Sequence, residues 1–355
     1  MALPSNISYY RRIDSQDMIG LLERFPQQCC QSFELAETFS LPKGYKRFKN
    51  IVFSGMGGSA IAADLIRSLY LYKINHPVFV IRNYRIPEFL NRGSLFFACS
   101  YSGNTEETLA SFQEAKKRKA RIIAICSGGK LLESARKNRI PYLILPEGYP
   151  PRQALGYFFF SFLNVLERLD VVDNLDREVY EAISVLENLK KKCLSVNIDI
   201  KNNPAKKLAC GLKHKFPVIY SSCDYLDVVV NRWRGQFAEN SKTLSSVNVF
   251  PEMNHNEIVG WRFPRKILKN FAVIILRDVS EHKRVAKRIE ITKNMLIKKG
   301  FGVKEIWSHG NSLMARLFSL IYIGDFTSFY LAILNKVDPT PVEPIAYLKK
   351  KLAKG

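Results

Sequence analysis

Paired cysteines are missing from this sequence. Its seven cysteines, Cys29, Cys30, Cys99, Cys126, Cys193, Cys210 and Cys223, are odd in number and include no C-x-x-C pair. That pattern excludes a dense disulfide framework and a thiolate zinc site, and predicts reduced, mostly structural thiols. Histidine is also scarce: His76, His214, His255, His282 and His309 show no H-E-x-x-H or related ligand spacing, so no metal is expected. No uninterrupted apolar run approaches the ~18 residues of a membrane span. The nearest is LGYFFFSFLNVL, from Leu155 to Leu166, which Ser161 and Asn164 interrupt and which reads as a buried helix. The first residues lack a basic stretch followed by an apolar core, so no secretory signal is evident and a cytoplasmic location is expected.

What the sequence has in excess is positive charge. Lys and Arg number 54 against 32 Asp and Glu, a formal net charge of +22 over 355 residues. Such a balance favours anionic partners in general. The densest runs, KKRKAR from Lys116 and KKK at Lys190 and Lys349, are short and follow apolar helical patterns. They read as solvated helix faces and ends, so neither nucleic acid nor membrane is expected as a partner.

With 47% hydrophobic residues the chain can bury a sizeable core. Its elements alternate. From Asn50, IVFSGMGGSAIAADLIRSLYLY is a short apolar run, a glycine turn and an apolar helical pattern. PVFVIRNY, SLFFACSYSGNTEETLASFQEAKKRKA, RIIAICSGG and PYLILPEG continue the strand-and-helix rhythm, which predicts an α/β fold with a mainly parallel sheet flanked by helices. A polar stretch follows, and the rhythm restarts at FPVIYSS and runs to the long apolar segment ending near Asn335. Two related α/β lobes are therefore expected: 1–169, a connecting helix and linker over 170–206, and 207–355.

Two loops carry chemistry. Gly55-Met56-Gly57-Gly58-Ser59-Ala60 lies between a strand and a helix, where backbone N–H groups can face an anion. It also fits the dinucleotide pattern G-x-G-x-x-A. The next strand ends in Arg82 and Asn83, with no acid for a ribose, which leaves an NADP-dependent oxidoreductase as an alternative resting on Gly55, Gly57, Ala60 and Arg82. The second loop, SYSGNTEET, clusters the hydroxyls of Ser100, Ser102 and Thr105 around Gly103 at a helix start. A plain N-cap accounts for one hydroxyl, whereas three suit a phosphate monoester.

SYSGNTEET together with GMGGSA resembles the sugar isomerase (SIS) domain signature. PPRQALG, RGQFAENSK, MNHNEIVGW and IGDFTSFYLA, in that order, resemble the bifunctional phosphoglucose/phosphomannose isomerase family over nearly the whole chain. The resemblance implies two SIS-type lobes and an isomerase of glycolysis and gluconeogenesis. Its hexose 6-phosphate substrates, glucose 6-phosphate and mannose 6-phosphate, would be converted to fructose 6-phosphate without cofactor or metal in a homodimer. It implies substrate binding by Gly57, Gly58, Ser59, Ser100, Ser102 and Thr105, with Glu239 as the base that moves the proton between C1 and C2. His255 would open the sugar ring, within its own chain or across a dimer interface, and Arg152 would steady the enediolate. Thr327 would leave room near C1 and C2, and Lys336 is carried as a further candidate. Taken without their motifs, Glu239 reads as a surface carboxylate, His255 as a buried structural histidine and Thr327 as a core helix threonine. A non-catalytic SIS-domain sugar-phosphate sensor stands as a second reading.

Overall fold

The computed structural model describes residues 3–173 and 175–352. Two compact units emerge, Arg24–Ile183 and Met1–Glu23 with Ser184–Gly355. Their edges do not coincide with the boundaries expected at 169 and 207. The first residues associate with the second half of the chain, and the expected linker is largely helical, as Asp176–Leu189 and then a π-turn over Lys190–Leu194.

In the unit Arg24–Ile183, five strands form a wholly parallel sheet: β1 (Asn50–Ser54), β2 (Val78–Ile81), β3 (Ser94–Cys99), β4 (Arg121–Cys126) and β5 (Tyr142–Ile144), in the order β2-β1-β3-β4-β5. Parallel strands need covered faces, and the alternation of side chains shows how each is covered. On one face Val52, Phe96, Ala98, Ile122 and Ala124 pack with Phe112 and Leu131 of the crossover helices Glu106–Lys117 and Gly129–Lys137. On the other, Phe53 stacks on Phe97 at 4.7 Å, and Phe162 of the helix Leu155–Arg168 meets Phe53 at 4.8 Å. The aromatic run is thus a buried helix, as its sequence predicts, and its Ser161 and Asn164 each hydrogen-bond inside. Ser161 Oγ lies 3.1 Å from Ser32 Oγ, and Asn164 Nδ2 donates to Phe33 O at 3.2 Å.

The second unit repeats the plan. β6 (Phe216–Ser222), β7 (Ser246–Phe250), β8 (Phe271–Arg277) and β9 (Val303–Trp307) form a parallel sheet ordered β7-β6-β8-β9, the same order of first appearance as β2-β1-β3-β4. Its longest helix, Leu313–Asn335, packs on Asp227–Glu239 and Pro204–Leu212. By length and composition this helix, and not Leu155–Leu166, is the one among the described residues apolar enough to cross a bilayer. Its whole apolar window is buried inside the protein, which makes it a central core helix. Inside that core Arg232 forks onto Asp325, Nε to Oδ1 at 3.1 Å and Nη2 to Oδ2 at 2.6 Å, with both side chains buried. Trp233 and Trp261 are core residues, Trp233 donating to Leu320 O at 3.0 Å.

Candidate functional site

In the first sheet the strand order reverses between β1 and β3. The loops leaving the carboxyl ends of two strands that diverge in this way leave a crevice, the general ligand position of open parallel sheets. Those loops are the two that the sequence singles out. After β1 comes Gly55–Gly58, leading into the helix Gly57–Tyr70, and after β3 comes Ser100–Thr105, leading into Glu106–Lys117. Neither helix start is closed by a side-chain cap, although Thr105 occupies the N-cap position of the second. Its hydroxyl instead shares a 2.8 Å hydrogen bond with Ser100 Oγ. First-turn N–H groups left without intrahelical partners, with a helix dipole behind them, can seat an anion.

Ser59 and Ser100 are buried, Thr105 is half-buried and Ser102 is exposed. Backbone contacts set the rest of the seat. A Cβ on Gly58 would come within 2.6 Å of Pro151 O and 3.2 Å of Arg152 Cα, so only glycine lets this helix start lie against the turn carrying Arg152. That turn, Pro151–Gln153, is a single 3₁₀ turn with Arg152 buried. At Gly103 (φ +66°) a Cβ would strike Gly128 O, which joins the hydroxyl loop to the loop after β4. Asn104 seals that junction by accepting from Lys130 N at 3.1 Å.

Several residues that the sequence reading passes over hold these parts in place. Gln28 Nε2 donates to Gln153 O at 2.9 Å, and its Oε1 accepts from Gly156 N at 2.9 Å, clamping both sides of the Arg152 turn. Tyr101 donates to Pro146 O at 2.7 Å and accepts from Tyr149 N at 2.9 Å, which fixes the segment leading to that turn. Burial raises the Tyr101 phenol above its ordinary range, so it stays a donor. Tyr101 and Asn104 stand inside the SYSGNTEET motif, whereas Gln28 has no local signal at all.

In the second unit Glu239 is the last residue of the helix Asp227–Glu239 and is half-buried, and its carbonyl accepts from Lys242 Nζ at 2.6 Å. Asn240, next in the chain, donates to Ser328 Oγ at 2.9 Å, so the RGQFAENSK and IGDFTSFYLA motifs meet inside this unit. Thr327 is fully buried and donates to Ile323 O at 2.7 Å, as a core helix threonine does. It offers a small side chain there, with its proton already committed. Lys336 caps the same helix in a left-handed conformation and is exposed.

His255 ends the 3₁₀ turn Glu252–His255 and is exposed, not the buried histidine of the alternative reading. Its turn is well anchored. Glu257 accepts from Asn248 Nδ2 at 2.6 Å and from the hydroxyl of Tyr220, which itself accepts from Trp261 Nε1 at 2.9 Å, while Asn254 Nδ2 donates to Thr292 Oγ1 at 2.9 Å. Arg82, the residue offered for NADP, is forked onto Asp64 of the same unit, so that cation is already matched. Among the described residues no group of three or more His, Cys, Asp and Glu could hold a metal ion.

The SIS domain family matches residues 45–140, and the bacterial phospho-glucose isomerase C-terminal SIS domain matches residues 201–352. A bifunctional phosphoglucose/phosphomannose isomerase of Caldicellulosiruptor bescii is 42% identical over 336 residues, covering 95% of this chain and 99% of the relative. The chain belongs to the bifunctional phosphoglucose/phosphomannose isomerase family. A member from Aquifex aeolicus is 36% identical, covering 88% of this chain and 93% of its own. Family membership removes the support for the sensor and oxidoreductase alternatives. Among solved structures, a hypothetical protein from Thermus thermophilus superposes with a TM-score of 0.73 at 16% identity, over 98% of this chain and 94% of that one. A glucose-6-phosphate isomerase-like protein from the same organism reaches 0.64 at 17% identity, over 99% of each chain. At those identities the likeness shows the fold alone.

Proposed function

We infer that this protein interconverts glucose 6-phosphate and mannose 6-phosphate with fructose 6-phosphate through a cis-enediolate, as a cytoplasmic homodimer serving glycolysis and gluconeogenesis. The observation that carries the reading is the uncapped helix start at Gly57–Ser59, lying against the Arg152 turn and facing the same strand crossover as the Ser100–Thr105 pair. Phosphate would be held by the N–H groups near Gly57 and Gly58 and by the hydroxyls of Ser59, Ser100, Ser102 and Thr105. Arg152 would steady the negative charge that develops on the substrate oxygens.

In this reading Glu239 takes the proton from C2 of the open-chain aldose and returns it to C1 of the enediolate, which preserves the balance of protons through the step. His255 opens the ring by moving a proton between the ring oxygen and the anomeric hydroxyl. Its exposure suits a group delivered to a partner's substrate across the homodimer. Thr327, with its small side chain, leaves room around C1 and C2 for both C2 configurations, and Lys336, the C-cap of the same helix, is a further candidate. The chemistry asks for general acids and bases alone.

The test is turnover of Glu239→Gln with each hexose 6-phosphate in chelator-containing buffer, scored for fructose and mannose products. Wild-type protein is expected to work in chelator, and the variant to lose roughly 10²–10⁴-fold in kcat while keeping its thermal stability. Near-normal turnover by the variant would remove Glu239 as the base.

A further inference from the structure

The second unit carries a cavity of about 700 Å³ that includes none of the residues assigned above to sugar phosphate. It opens where strands begin. Lys215 and Lys269 precede β6 and β8, Phe271 and Ala272 start β8, and Gly300–Gly302 lead into β9. The crevice at which this sheet's order reverses lies at the other ends of the same strands.

The lining has an unusual composition. It presents five cations, Lys215, Arg262, Arg265, Lys269 and Lys299, and no carboxylate. All five are exposed, and among the described residues none is paired with an acid. Lys215 Nζ donates to Lys269 O at 3.0 Å and Lys299 Nζ to Trp261 O at 3.2 Å, neutral acceptors that leave the charges uncompensated. Five like charges around one concavity repel one another and focus a positive potential into it. A monoester carries two negative charges at most, so this rim suits a chain of phosphates.

The floor is aromatic. Trp261 meets Phe301 edge-on at 4.8 Å, and Leu268 and Phe271 complete the apolar surface. Phe263 is not itself part of the lining, but its exposed ring lies 5.5 Å from the guanidinium of Arg262 and 5.7 Å from that of Arg265, two residues that are. An exposed ring beside two guanidiniums is a surface on which a flat heterocycle can stack while its phosphates reach the cations.

We propose that this cavity is a second ligand site, for a nucleoside polyphosphate, with the phosphates on Arg262, Arg265, Lys215, Lys269 and Lys299 and the base against Phe263 and the aromatic floor. The site stands independently of the isomerase reading, since none of its residues takes part in that reaction.

Titration calorimetry on the full chain at one fixed salt concentration tests it, with ATP, inorganic tripolyphosphate and a short single-stranded oligonucleotide as probes. ATP is expected to bind saturably, and the exposed double variant Arg262→Ser, Arg265→Ser to bind it at least roughly tenfold more weakly, with hexose 6-phosphate turnover unchanged. Phe263→Ser is expected to weaken ATP about fivefold or more while leaving tripolyphosphate alone. Ser100→Ala should bind ATP as wild type does, which separates this cavity from the anion seat of the first unit. Absence of saturable ATP binding, equal affinity in the double variant, tripolyphosphate binding as tightly as ATP, or tighter binding of the oligonucleotide would each overturn the proposal.

Discussion

Ser100 Oγ and Thr105 Oγ1, five positions apart in the chain, stand 2.8 Å from each other, and this bond replaces the N-cap that Thr105 would otherwise make. One hydroxyl orders the other, and the helix N–H groups behind them stay available to an anion. The pair is therefore expected to matter for substrate capture more than for folding. Thr105→Ala and Ser100→Ala should each raise KM for hexose 6-phosphate about tenfold, the worth of about one charge-assisted hydrogen bond. Thermal unfolding should shift little. Steady-state kinetics beside a melting curve checks both halves, and an unchanged KM would remove these hydroxyls from the binding site.

Gly58→Ala tests the approach of the helix start to the Arg152 turn. The added methyl would meet Pro151 O at 2.6 Å, a backbone atom that cannot swing aside. Overpacking of this kind costs about 1–3 kcal/mol, and here the strain falls on the turn that carries Arg152. Turnover is expected to fall by more than tenfold, an order-of-magnitude figure for a misplaced group. Denaturant titration should show the loss of stability in parallel.

Asp325→Asn addresses the core of the second unit. Arg232 and Asp325 are both buried, and Asp325→Asn removes the charge that the guanidinium forks onto. Breaking such a pair costs roughly 3–5 kcal/mol, far more than losing a surface pair. The midpoint of urea unfolding should drop markedly. A variant as stable as wild type would mean that the pair contributes little.

Lys206 makes stability depend on pH in an uncommon direction. Its side chain is buried among the carbonyls of Val196 (2.7 Å) and Ile198 (2.9 Å), and desolvation lowers its pKa from 10.5 to about 8. Between those two values the unfolded chain holds a proton that the folded chain has released, so stability rises as pH climbs from about 8 towards 10.5. Near the upper end an opposing effect begins, because burial raises the phenols of Tyr10 and Tyr330 and the folded state keeps protons that unfolded tyrosines lose. Urea unfolding across this range should show the rise in wild type and its absence in Lys206→Met.

The strand-turn-helix rhythm is legible because local periodicity and glycine turns encode it, and both phosphate-type loops are visible for the same reason. The boundaries of the compact units are not. Tyr10 stacks on Phe329 at 6.0 Å, and Tyr322 donates to Leu22 O at 2.8 Å across 300 residues of sequence, contacts with no short-range signature. Gln28, which steadies the Arg152 turn and accepts from Gly156 N 128 residues away, is hidden likewise. Leu313–Asn335 is apolar on every side, so its pattern marks burial without saying which helices will surround it. Thr327 reads as an ordinary helix threonine in sequence, and its bond to Ile323 O is the one such a residue makes.

The packing of Tyr10 against Phe329 and Tyr330 also bears on biosynthesis. Residues near Tyr10 leave the ribosome early, whereas their aromatic neighbours are translated far later. The unit Arg24–Ile183 is complete in the nascent chain long before that moment and can acquire its sheet during translation. The other unit must keep its opening segment unmatched until those rings emerge, and a recombinant fragment starting at Ser184 would lack the piece that covers them.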